Sequence, residues 1–303
     1  IYDGLMHIVD YMSPEKRSIE SKFGQHGIAK KPERVVIVES HEQVPDIAFH
    51  FDGIFSDAAK EEFETAQKED AKLLSAYLGI QRPVFITYRV FETRKAKQTI
   101  DPLHSVSRAS ARFDEMTVYR QWTSGEDSHF PHEMTHLFAH TWGEPYKWTV
   151  QLPGEDGPLE REIEMVSTSF LQEGLAVAVD ELVFRRPWRM EDIDRFADDW
   201  CRHNKKDLDS ITSISQFLQF KEFDALDQKI AMPLAASFVK FLIVRYGMEK
   251  FRRLYTHVRE TQLLRESLTI VEAVYGKKET DVLQEWKVSI FQNLGIEKDE
   301  TSK

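Results

Sequence analysis

The stretch His129-Phe130-Pro131-His132-Glu133-Met134-Thr135-His136-Leu137-Phe138-Ala139-His140 constrains this chain more than any other part of it. Inside it lies H-E-x-x-H. On a helix, at about 100° per residue, His132 and His136 fall one turn apart on the same face. Both imidazoles can then reach one zinc ion at about 2.0–2.1 Å. Glu133 lies roughly 60° around the helix from His136, so its carboxylate borders the ion without ligating it. That is where a base that deprotonates water must stand. Asp127 or Ser128 is the expected N-cap. The bland reading is coincidence on an ordinary amphipathic helix, which average composition allows in roughly one chain per hundred of this length.

A tetrahedral catalytic site needs a third protein ligand and an open position. His140 lies eight residues from His132, and His129 seven from His136. Along one helix those separations are about 12 and 10.5 Å, too far to share an ion. The third ligand must therefore come from another element. The segment Phe170-Leu171-Gln172-Glu173-Gly174-Leu175-Ala176-Val177-Ala178-Val179-Asp180-Glu181 reads as a mostly buried helix, in which a carboxylate needs a partner. The other acids within reach in sequence are Glu160, Glu162, Glu164, Asp180 and Glu181. The first three are expected at the polar, solvated start of this helical segment.

A helix with H-E-x-x-H followed by one with Glu-Gly-Leu-Ala resembles the gluzincin zinc metallopeptidases. These are the peptidase-MA-like proteins, thermolysin-like and aminopeptidase-N-like enzymes among them. The resemblance implies that Glu173 is the third ligand and Glu133 the general base. It also implies that Asp180, seven residues after Glu173, hydrogen-bonds a ligand imidazole. Ala235 to Gly247, Val274-Tyr275-Gly276 and Leu283 to Trp286 resemble the later helices of the same family. Relatives usually add a tyrosine or histidine for the oxyanion. Where that tyrosine is expected the chain reads Ala231-Met232-Pro233, which leaves Tyr119, Tyr146 and Tyr246 as candidates. The Gly-x-Met-Glu-Asn stretch of aminopeptidases is absent, so endopeptidase activity is favoured over aminopeptidase activity.

The family's plan sets the expected fold. It is α+β and zincin-like, with a mixed α/β half carrying an antiparallel edge strand over residues 1–125. A mostly helical half that carries the zinc helices follows over 126–303, with the active-site cleft between them. Strands are read at Arg34–Glu39, Ile47–Asp52, Pro83–Phe91 and Met116–Gln121, and a helix from a Ser56 or Asp57 cap to Gly79. Gly143 to Pro158, rich in Gly and Pro, reads as a loop whose Trp142, Tyr146 and Trp148 cover the site. From Glu160 onward the chain reads as nearly all helical.

Composition narrows the partners. With 51 acidic against 40 basic residues the net charge is −11, which excludes nucleic acid as the main partner. No run approaches the roughly 18 apolar residues of a membrane helix. Cys201 is the single cysteine, so an internal disulfide is excluded and a Cys-ligated structural zinc is not expected. The first residue is Ile1, which is compatible with a removed signal or anchor; the compartment stays open, with an extracytoplasmic location favoured. Together these readings point to a hydrolase that uses Zn2+ on a peptide or protein substrate. The alternative is a non-catalytic zincin-fold binding or scaffold protein.

Overall fold

The computed structural model describes residues 45–101, 108–152, 159–190, 193–214, 218 and 227–292. The strand expected at Arg34–Glu39 lies outside the described residues. The first part is a small mixed sheet. Strands β1 (Asp46–Asp52), β2 (Phe85–Phe91) and β4 (Thr117–Gln121) run parallel, and β3 (Ala109–Arg112) lies antiparallel to β4 at one edge, in the order β1-β2-β4-β3. Tyr88 pairs between Phe49 and Val118, and Val90 pairs with Arg120, so these side chains share the inner face of the sheet.

Helix α1 (Asp57–Leu78) lies on that face. Ser56 Oγ accepts the Ala59 amide at its start, and Gly79, at φ 63°, ends it in the left-handed conformation that glycine adopts without strain. Its buried stripe runs Phe63, Gln67, Asp70, Leu74, Leu78 at helical spacing. Burying Phe63, Leu74 and Leu78 stabilises the packing by about 1.5–3 kcal/mol each. Gln67 and Asp70 are polar yet buried, and both serve the helix with the H-E-x-x-H pattern. Helix α2 (Arg94–Ile100) connects β2 to β3.

Helix α3 (Pro131–His140) carries His132 and His136, and α4 (Ser169–Leu182) carries Glu173. Between them the expected loop is instead a hairpin of β5 (Tyr146–Leu152) and β6 (Leu159–Met165). The physical reason is alternation. Tyr146, Trp148, Val150 and Leu152 interleave with Lys147, Thr149 and Gln151, a period of two that outweighs the flanking Gly and Pro. The expected helical start at Glu160, Glu162 and Glu164 is likewise corrected, because all three lie on β6, opposite Gln151, Thr149 and Lys147. A second short hairpin, β7 (Trp188–Met190) with β8 (Ile193–Arg195), interrupts the helical remainder.

Helices α5 (Ala197–His203), α6 (Lys205–Ser210), α7 (Gln228–Tyr246), α8 (Met248–His257), α9 (Leu264–Tyr275) and α10 (Glu279–Gln292) complete the described chain. Cys201 is buried on α5, as expected of a packed thiol. One contiguous apolar core runs from Phe55 to Ile290. Helix α4 packs closely along α7, and Gly174 is the reason. A Cβ there would come within 2.8 Å of the Ala235 carbonyl oxygen and 2.7 Å of Val239 Cγ2. Among the described residues no helix is long and apolar enough to cross a membrane.

Candidate metal centre

The histidine helix does not begin on Asp127 or Ser128. It begins at Pro131, whose missing N–H and fixed φ suit a first turn, with Phe130 as an N-cap that offers no side-chain acceptor. Asp70 of α1 supplies one instead. Its Oδ2 accepts the Phe130 amide at 3.1 Å, and its Oδ1 lies 2.8 Å from His129 Nδ1. Asp127 turns back to accept the His129 amide at 3.0 Å. Ser128 is held by α1: its hydroxyl donates to Glu62 and its carbonyl accepts from Gln67. Arg120 of β4 lies under the same entry, 4.0 Å from the Phe130 ring, and donates to the Asp127 carbonyl at 3.0 Å. Burial pulls the Arg120 guanidinium down to about 10.

His132, His136 and Glu173 converge. Nε2 of His132 lies 3.3 Å from Nε2 of His136 and 3.4 Å from Glu173 Oε2, and His136 Nε2 lies 3.7 Å from Glu173 Oε1. Ligands at about 2.05 Å in tetrahedral array stand about 3.3–3.4 Å apart. The two imidazole planes meet at 84°, with ring centroids 4.9 Å apart. Among the described residues this is the group of His, Cys, Asp and Glu side chains that could hold a metal ion. Two imidazole nitrogens and one carboxylate are a donor set that zinc accepts.

Without a metal ion, the electrostatics set the two histidines apart. Burial drives His136 down to about 4, which keeps it neutral and available as a ligand. Burial also opposes charge on His132, but the Asp180 and Glu173 carboxylates outweigh it and hold the ring well above its ordinary value. Burial disfavours ionised Glu173, yet the imidazoles of His136 and His132 keep its carboxyl below the usual range. Asp180 falls on the same face of α4 as Glu173, because seven residues make almost two turns. Its Oδ2 is 3.7 Å from His132 Nδ1, a charge contact longer than a hydrogen bond. Glu133 stands outside the ligand set. It is buried and makes no ion pair with the histidines, and burial raises its carboxyl to about 7.

The remaining histidines and tyrosines sort plainly. His140 stacks on Phe113 at 4.7 Å and stands apart from the cluster. Tyr119 donates to Glu115 and Tyr246 to Glu285, while Tyr146 donates to the Ser167 carbonyl and accepts the Glu260 amide. Each of these phenols is committed to another partner. Two tyrosines that the sequence did not single out sense the site. Burial, then the Glu173 carboxylate, pushes Tyr255 well up; burial, then Asp70, Arg120 and Glu133 act on Tyr88. A fully buried tyrosine on an inward strand position is the signal for Tyr88. Tyr255 has no such local signal, since α8 reaches the site only through the packing.

No family model, curated protein or solved structure matches the chain. The functional reading therefore rests on the geometry of the site.

Proposed function

We propose that this chain is a zinc-dependent metallopeptidase of the gluzincin type, an endopeptidase that cleaves peptide or protein substrates. One observation carries the reading: three side chains from two helices approach one another to 3.3–3.7 Å through two imidazole nitrogens and the two oxygens of one carboxylate, with a further carboxylate one residue from the first histidine. Zinc held there would supply a Lewis acid that polarises the scissile carbonyl and acidifies water. His132 and His136 offer Nε2, and Glu173 offers its carboxylate. Asp180 biases the His132 ring toward presenting Nε2 outward by facing Nδ1. Glu133 accepts the proton of the attacking water on its carboxylate and returns it to the leaving amine. With zinc at the site, the Glu133 carboxylate would be favoured in its ionised form, the form that takes a proton from water. The zincin arrangement, with its cleft between the sheet half and the helical half, belongs to the same proposal.

The test begins with the metal content of purified protein, where close to one zinc per chain is expected. Peptide-library cleavage that stops with a chelator and returns with zinc is the expected activity. Glu133→Gln is expected to keep the zinc and lose hydrolysis by about 10²–10⁴-fold, because an amide cannot take the proton. A zinc-loaded parent that cleaves nothing would favour the scaffold reading. That alternative draws on Tyr119, Tyr146 and Tyr246 all being committed away from the site.

A further inference from the structure

The segment that follows α4 turns back onto the segment that leads into α3, and one guanidinium closes the contact. Arg186 Nη1 donates to the His129 carbonyl at 2.7 Å, and Nη2 lies 3.4 Å from Asp127 Oδ2. Its own amide donates to the Asp180 carbonyl at 3.0 Å. Asp180 is the residue whose carboxylate faces His132. A closed ring results. It runs from His132 to Asp180, along the backbone bond to Arg186, across the guanidinium to His129, and three residues on to His132.

The turn that makes this possible is strained. Arg185, at φ 57°, is one of two described non-glycine residues with positive φ. A side chain there crowds the backbone, so the conformation persists only because the surrounding contacts hold it. The strain places Arg186 within reach of both groups at once, and a planar fork suits a carbonyl beside a carboxylate.

We propose that Arg186 is a positioning residue for the metal triad, a staple that sets the register of the histidine helix against the glutamate helix. The inference rests on the zinc reading above. His132 and His136 belong to one helix and Glu173 to another, and a coordination sphere tolerates only about 0.5 Å of misplacement. Packing of α4 on α7 at Gly174 fixes the glutamate helix from behind. Asp70 and Arg186 hold the histidine helix at its entry, and of the two only Arg186 ties it to the helix that bears Glu173.

The experiment compares Arg186→Gln and Arg186→Lys with the parent in three measurements. They are zinc affinity by competition with a chromophoric chelator, the visible spectrum with cobalt in place of zinc, and melting of the metal-free protein. Arg252→Gln is the control. Arg252 also donates to carbonyls at a helix end, Leu78 and Gly79, with none of the triad among its partners. Arg186→Gln is expected to weaken zinc by about 10–100-fold, the range seen when a residue that orients ligands is lost, and to shift the cobalt bands. Lysine should restore part of the affinity by donating to the His129 carbonyl. Arg252→Gln should leave both metal readouts unchanged, whatever it does to melting. Affinity within about twofold of the parent with an unaltered cobalt spectrum would overturn the proposal, as would equal losses in Arg186→Gln and Arg252→Gln. Should Arg186→Gln fail to fold, Arg186→Lys carries the same decision. A parent that binds neither zinc nor cobalt would overturn the zinc reading, and this inference with it.

Discussion

Helix α4 carries two buried carboxylates, eight residues apart, in opposite circumstances. Glu181 brings its cation with it. Its Oε2 lies 2.5 Å from Lys240 Nζ, which also lies 2.8 Å from Asp198 Oδ2. Ser237 donates to the other Asp198 oxygen at 2.6 Å, and Trp286 Nε1 donates to Ser237 at 3.0 Å. Burial opposes charge on Lys240, but the two carboxylates hold its ammonium raised. Glu173 has two imidazoles as its charge partners, and neither is a permanent cation. The first cluster is complete within the chain. The second pairs its carboxylate with imidazoles, whose protons can be given up, so its charge can be exchanged for that of a metal ion.

The sharpest test of that contrast removes the built-in cation. Lys240→Met should cost about 3–5 kcal/mol, because Glu181 and Asp198 are left buried and unpaired. Denaturant unfolding reads the loss, and zinc affinity should stay near that of the parent. Metal affinity falling with unchanged stability would break the comparison.

Glu173→Ala should do the reverse. Zinc affinity falls by at least about 100-fold, more than an orienting residue would cost. The metal-free protein should melt lower than the parent, because Glu173 and His132 favour each other's charged forms, but by less than in Lys240→Met, since His132 can give up its proton. Glu162→Ala and Glu164→Ala, on β6, should keep parental affinity in the same chelator competition.

Gly174→Ala probes the helix contact that lies between the two clusters. The added Cβ meets backbone at 2.8 Å, so a loss of about 1–3 kcal/mol is expected from overpacking, read by thermal melting. The last test is with pH. Zinc must displace the proton that His132 holds above its ordinary range, so affinity should fall as pH falls, about tenfold per unit for each proton displaced. The sign for metal-free protein is opposite. A histidine with a raised folded-state pKa adds stability at low pH, and that contribution is lost as pH rises through the folded value. Titrations at pH 6 and 8, with and without zinc, check both directions.

Much of the site is legible in the sequence, and the fold less so. H-E-x-x-H predicts that two imidazoles share a face, because helix pitch is local. The same locality makes Ser56 and Gly79 readable as the ends of α1. The β5 alternation was equally present in the residues, but Gly143, Pro145 and Pro158 at its flanks mask a period of two. For the N-cap, a nearby Asp or Ser is a plausible local signal; the observed acceptor, Asp70, sits 60 residues before Phe130.

What the sequence determined by itself is therefore what one turn of helix or one strand can encode. It set His132 and His136 at one pitch, Glu133 beside them, and Asp180 on the face of Glu173. Only tertiary structure decided the pairings across long separations. It brought Glu173 to within 3.4 Å of His132, directed Gly174 to α7 rather than to the histidine helix, and set Arg186 on His129. The physical reason is range. Dihedral preferences and side-chain periodicity act over a few residues, whereas which buried faces meet is settled by the packing of the whole core.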